Sequence, residues 1–421
     1  MTVNLTQPEQ RMLEDSRPGV ALAMRLVVQL AETMRATELL PITGAHIDSC
    51  LFHGQSGLDF VAKLVDGDAQ VAVPTTLNVS SLDLLHPELY RGSDQDASDA
   101  KALMDGYVAL GCTPSWTCAP YQLEARPSFG EHVAWAESNA IVFANSVLGA
   151  RTHRYGDFID IAAAITGRVP NAGLHLSEKR HATMVIDVVD LSPALLASDS
   201  VFALIGFIAG RECGSSVPAI VGLPASTSED NLKALGAAAA SSGSLAMFHA
   251  VGITPEASTL DQATGGRNVG PRLTISSAQI REARDAVGFA GSDQKSLGTV
   301  SLGTPHYSVT EIGLLGSLFH GRSVHPNIDF YVSTGRNMLH EAMLRGSVRE
   351  LEKSGVTFVT DTCTYITPIL RDATGLAMTD SAKWAYYAPG NIGVDTIFGS
   401  VQECVESAVK GYVVRDELLW S

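Results

Sequence analysis

The sequence predicts an α/β protein made of several α/β/α subdomains. Short β-branched apolar runs alternate with helical stretches along most of the chain, which argues for parallel sheet layers covered by helices. Polar loops follow several of those strands, where open α/β sheets hold ligands. At 421 residues the chain suits two or three such units rather than one small core.

Taken in order, apolar residues at helical spacing over 9–40, broken at Pro18-Gly19, predict a helix pair or one interrupted helix. A strand over 44–50, a helix over 57–65 and a short strand over 70–74 follow. That last strand runs into Pro74-Thr75-Thr76-Leu77-Asn78-Val79-Ser80-Ser81, a concentration of hydroxyls and amides suited to a ligand. A plain turn with a helix cap at Ser80 or Ser81 is the alternative. Residues 91–99 are polar and surface-exposed by composition, and a helix over 100–110 enters the stretch Gly111 to Gln122. There two thiols, two prolines and two aromatics define a stiff irregular loop able to hold a thiolate in place.

A buried helix is expected over 131–149, then a polar turn from Arg151 to Asp157. Next come a helix over 157–166, a strand over 183–189, a helix over 198–210 and a strand over 217–223. A Ser228-capped helix over 229–240 and a strand over 245–249 complete the middle third. A glycine-rich linker at 264–268 precedes strands over 299–302, 328–332 and 356–360 with helices over 309–319 and 336–353. Approximate subdomains are 1–195, 196–295 and 296–421.

The net charge of -16 and pI near 5.1 argue against a nucleic-acid partner, which requires clustered Lys and Arg. The N-terminus lacks a signal peptide's basic and apolar regions, and no apolar run reaches membrane-span length, so a cytoplasmic protein is expected. Cysteines stand at 50, 112, 118, 213, 363 and 404, too scattered for a zinc ribbon, a ferredoxin run or a CxxC motif. What remains is a metal site assembled from distant segments, or buried thiols packing as small hydrophobes. Cys363 follows a strand, and Cys404 falls in the first turn of a helix capped by Ser400, where the dipole favours thiolate.

The runs Pro74 to Asn78, Cys112 to Tyr121, Ala144 to Thr152, Gly303 to His306, Asp361 to Cys363 and Ser400 to Cys404 resemble the large subunit of aconitase X, a branch of the aconitase superfamily. The resemblance implies an iron-sulfur cluster on Cys118, Cys363 and Cys404, with Cys112 as the alternative to Cys118. Two-iron and four-iron clusters and mononuclear iron all remain open. The implied chemistry is elimination of water, with an open iron as Lewis acid on the leaving hydroxyl. Thr75, Thr76 and His306 are the catalytic candidates; Asn78, Arg151, Ser81 and Lys383 are the substrate-binding candidates. His306 reads equally as a buried neutral imidazole, and Arg151 and Lys383 as solvated or ion-paired cations.

The mobile swivelling domain of the superfamily has no counterpart in this sequence, so the resemblance implies a separate small subunit carrying the general base. It further implies a hydroxy amino acid substrate, cis-3-hydroxy-L-proline, dehydrated to pyrroline-2-carboxylate. Mevalonate 5-phosphate is the alternative substrate. A noncatalytic cluster-binding regulatory subunit is the alternative of another class.

Overall fold

Pro18 occupies the first position of a helix, where its missing N–H removes no intrahelical bond, so the N-terminal pattern becomes two helices, Gln7–Leu13 and Pro18–Thr33. The computed structural model describes residues 3–288, 296–371 and 375–420, which leaves the expected boundary at 295/296 on the edge of residues outside that set. The chain divides into two units, Met1–Leu82 with Ser93–His181, and Asp83–Gly92 with Ala182–Ser421.

The first unit contains β1 (Leu39–Pro41), β2 (Ala45–Ile47), β3 (Thr75–Leu77), β4 (Ala134–Trp135) and β5 (Arg168–Pro170). Strands β1 and β5 pair antiparallel, while β2 lies between β3 and β4 in a parallel sheet. The strand expected over 70–74 forms instead at Thr75–Leu77. Val71 and Ala72 donate their N–H groups to Leu110 O and Ala164 O, outside any strand ladder, and pairing with β2 begins only at Thr75.

The helix expected over 131–149 is also shorter. Residues 132–135 are drawn into β-type pairing with β2 and Arg151, and the helix starts at Ser138, capped by Glu137 through Ala140 N. It continues as a π-type turn over Ala144–Leu148 and stops at Gly149, φ 66°. The helix expected from 100 begins earlier, at Asp94. Ser93 caps it, and Asp94 and Asp96 favour its positive end, so the polar composition of 94–99 marks a solvated helix face.

Asp160, fully buried on helix Ile159–Thr166, ties that helix to the loop after β2. Its carboxylate accepts from Asp48 N at 2.8 Å, Ser49 N at 3.0 Å and Ser49 Oγ at 2.9 Å. Burial pushes its pKa up to about 6, against the lowering from those bonds. Asp160→Ala is expected to destabilise the protein by about 3 kcal/mol, since buried donors lose a charged acceptor; urea unfolding measures it, and a loss below about 1 kcal/mol would contradict the assignment.

In the second unit β6 (Met184–Asp187), β7 (Pro218–Val221), β8 (His249–Ala250) and β9 (Arg272–Thr274) form a parallel sheet in the order β8-β7-β6-β9. The strand expected over 245–249 is therefore displaced to His249–Ala250. Strand β9 and helix Ser277–Val287 had no predicted counterpart. Helices Asp199–Cys213 and Glu229–Ser242 pack backbone to backbone at Gly206 and Gly210. A Cβ on either glycine would come within 2.1 Å of Leu235 O or Ser242 Oγ.

The second sheet of this unit holds β10 (Leu297–Tyr307), β11 (Asp329–Thr334), β12 (Val356–Val359), β13 (Leu376–Thr379) and β14 (Asp395–Phe398), all parallel in the order β12-β11-β10-β13-β14. The strand order reverses between β10 and β13, the position where open α/β sheets open a crevice at their carboxyl edge. The helix expected over 336–353 is two helices, Arg336–Leu344 and Ser347–Lys353, separated at Gly346 with φ 80°. Among the described residues no helix is long and apolar enough to cross a membrane.

Candidate metal centre

In the first unit the thiol loop is laced onto β3. Thr113 N donates to Thr75 O at 2.8 Å, Thr117 N to Leu77 O at 3.2 Å, and Ser115 Oγ bonds both polar groups of Leu77. Cys118 is buried, and its carbonyl accepts Asn139 Nδ2 at 2.8 Å. Cys112 lies in the hydrophobic core with Cys50, and burial raises its pKa. A thiol so placed stays protonated at neutral pH.

Thr75 and Thr76 line a cavity of about 430 Å³ together with Thr113 and Trp135, a volume that accommodates a small molecule. The Thr76 hydroxyl meets His46 Nδ1 at 2.8 Å, while Thr75 Oγ1 donates to Val73 O. Burial pushes His46 down to about 3, so it is neutral. Asn78 bonds Asp48, and Ser81 Oγ accepts Phe52 N at 3.1 Å. The Arg151 guanidinium donates to His175 O at 2.7 Å and Ser177 Oγ at 2.8 Å.

In the second unit His306 is the penultimate residue of β10 and Cys363 follows β12, so both stand at the carboxyl edge of the same sheet. A ring nitrogen of His306 and the Cys363 Sγ lie within 4.8 Å of one another, and both residues are buried. Burial holds His306 down at about 4, and its Nε2 donates to Thr362 O at 3.2 Å. The ring is therefore neutral at pH 7 with its lone pair on Nδ1, the protonation state a metal requires. A soft thiol beside a borderline imidazole suits iron or zinc, so these residues fit a metal.

Of the other candidates in this unit, Lys383 stands near enough for its charge to add to burial in holding His306 down. Lys383, in the first turn of the Ser381-capped helix Ala382–Ile392, borders a cavity of about 40 Å³ with Thr304, Lys233 and Asp380. Cys404 sits in the first turn of helix Val401–Lys410, with Ser400 and Glu403 forming the capping box. Its side chain belongs to the hydrophobic core, and burial raises its pKa well above the ordinary thiol value. Among the described residues it forms no three-donor group with His306 and Cys363.

Sequence reasoning treated His306 as a catalytic candidate and overlooked it as a donor beside Cys363. It also overlooked Asp83 and Arg336, which hold the loop carrying that thiol. Asp83 accepts Thr360 N at 2.8 Å, a partner 277 positions away, and no local pattern announces such a pair.

An α/β chain that brings a buried imidazole and a buried thiol to one sheet's carboxyl edge offers, as a class, two side chains of the kind metals take as donors. Models of the aconitase X first, second and third domains match residues 2–178, 182–285 and 297–410. A cis-3-hydroxy-L-proline dehydratase of Pseudomonas aeruginosa is 41% identical over 93% of this chain and 67% of its own length. One of Hypocrea jecorina is 38% identical over 98% of this chain and 70% of its own. The phosphomevalonate dehydratase large subunit of Methanosarcina mazei is 32% identical, with 97% of each chain covered. The crystal structure of Thermococcus kodakaraensis aconitase X in its holo-form superimposes with a TM-score of 0.85 at 28% identity, covering 96% of this chain and 100% of that one. The chain belongs to the aconitase X family. Family and donor pair together are consistent with a metal cofactor.

Proposed function

We propose that this chain is the catalytic large component of a hydro-lyase that dehydrates cis-3-hydroxy-L-proline to pyrroline-2-carboxylate. The observation that carries the proposal is the order of similarity. Relatives named for that reaction are 41% and 38% identical, whereas phosphomevalonate dehydratase large subunits are 28% to 34% identical.

The metal is proposed to be iron, as a cluster or a single ion, with Cys118, Cys363 and Cys404 as thiolate candidates and Cys112 as the alternative to Cys118. His306 joins them as a further donor. Lewis acidity toward the departing hydroxyl is what a metal held by such donors supplies. His306 and Cys363 are buried, and Thr75, Thr76, Asn78, Ser81, Arg151 and Lys383 are each proposed as candidates for contacting the substrate. The reaction removes the 3-hydroxyl and the 2-proton as water, leaving an enamine that tautomerises to the imine. A small partner subunit is proposed to bring the base that takes the 2-proton.

The test is an assay of the purified chain, alone and with a small partner, on cis-3-hydroxy-L-proline and on mevalonate 5-phosphate. Turnover of the hydroxyproline at least about tenfold faster, a discrimination of about 1.4 kcal/mol, is expected. The reverse preference would transfer the chain to the mevalonate reaction, and no turnover of either after reconstitution would favour the regulatory subunit.

A further inference from the structure

We propose that residues 83–92 are a strap that positions the Cys363 thiol, with Asp83 and Arg336 as its positioning residues. The inference rests on the reading of Cys363 as a metal ligand. The chain leaves its first unit at Asp83, belongs to the second through Gly92, and then returns. In that excursion it grips both ends of the loop that carries Cys363.

At the near end the grip is reciprocal. The Asp83 carboxylate accepts Thr360 N at 2.8 Å and Thr360 Oγ1 at 2.9 Å, while Leu84 N donates to Asp361 Oδ2 at 3.1 Å. Asp83 is itself held by Leu85 N, His86 N and His86 Nδ1, each at 2.9 Å. At the far end Arg91 N donates to Pro368 O at 2.8 Å and Arg91 Nε to Ile369 O at 3.0 Å. Between these anchors Ile366 N and Thr367 N fold back onto Cys363 O at 3.0 and 3.1 Å, so the cysteine backbone is set by a loop clamped on either side.

Arg336 completes the clamp. Asp361 adopts φ 61°, a conformation disfavoured for any residue with a side chain, directly before the Thr362-Cys363 step. Its fully buried carboxylate is held by the planar fork of Arg336, Nε to Oδ1 and Nη2 to Oδ2, both at 2.6 Å. Two parallel charge-assisted bonds define direction as well as distance. The strained turn that aims Cys363 is thus maintained by Arg336 from one side and Leu84 from the other. Neither Asp83 nor Arg336 needs to touch the metal for this.

The experiment follows the thiol rather than the reaction. In the metal-free full-length chain, alkylation of Cys363 and Cys404 by iodoacetamide is timed by peptide mass spectrometry for the wild type, Asp83→Asn, Arg336→Met and Arg336→Lys. Cys363 is expected to react at least about tenfold faster relative to Cys404 in the first two variants, a change of about 1.4 kcal/mol in local opening. Arg336→Lys keeps the charge without the fork and is expected to fall between. A ratio within twofold of wild type in folded Arg336→Met would overturn the strap, as would equal acceleration of both thiols, which signals general loosening. Should Asp83→Asn not fold, Arg336→Met decides alone, since the Arg336 side chain is 38% exposed. A chain that never binds iron, yet shows the raised ratio, would overturn the metal reading and leave the strap standing.

Discussion

Cys363→Ser is expected to lose its bound iron and at least about a thousandfold in dehydration rate, about 4 kcal/mol of transition-state stabilisation. The Sγ lies within 4.8 Å of a ring nitrogen of His306, and both residues are buried. Serine keeps the shape but offers a hydroxyl that stays protonated at neutral pH, a poor donor for iron. His306 remains neutral in the variant, because its depressed pKa comes first from burial. One donor without its neighbour holds a metal weakly. Cys50→Ser is the matched control: its thiol contacts Ile47 O and Asn78 O in the core of the first unit, so iron is expected to be retained. Iron and acid-labile sulfide in anaerobically purified protein decide the matter. Iron with sulfide indicates a cluster, iron alone a mononuclear site, and a Cys363→Ser preparation with its full iron content would remove Cys363 from the ligand set.

Arg180→Ala is expected to cost about 4 kcal/mol of folding stability, the largest effect of any polar substitution proposed for the first unit. Arg180 is 1% exposed. Its Nη1 donates to Asn145 Oδ1 at 2.9 Å and Leu174 O at 3.0 Å, and its Nη2 to Asn145 O at 2.9 Å and Ala150 O at 3.1 Å. Asn145 Oδ1 also accepts Thr152 N at 3.1 Å, so the single guanidinium organises the whole turn from Ala144 to Thr152. Truncation removes the guanidinium donors from Leu174 O, Ala150 O and Asn145 and opens a cavity as well. The midpoint of urea unfolding measures the effect. A shift worth less than about 1 kcal/mol would mean that the turn re-satisfies its carbonyls by itself.

The Ala144 to Thr152 stretch also illustrates how far local sequence carries. It stood out in the sequence as part of a resemblance, and Arg151 was its natural cation for a substrate. In the structure Arg151 bonds His175 and Ser177, while Arg180, which attracted no notice, serves the turn. The type of Arg180 is legible from sequence, but its partners are set by which carbonyls the fold brings around it. The helix expected over 131–149 failed for a related reason. Its apolar composition indicates burial, yet pairing of Ala134 and Trp135 with β2 used the first residues before a helix could form.

By itself the sequence determined the α/β class, because strand and helix periodicities are local and repeat through the chain. It also determined the Ser228 and Ser400 caps and the placement of Cys363 beyond a strand, all set by contacts within a few residues. Only the tertiary structure decided that His306 stands beside Cys363, that Asp83 reaches Thr360 across 277 positions, and that Arg336 braces Asp361. Those pairings depend on the order of strands in a sheet and on a brief excursion of the chain between units. Local periodicity contains neither.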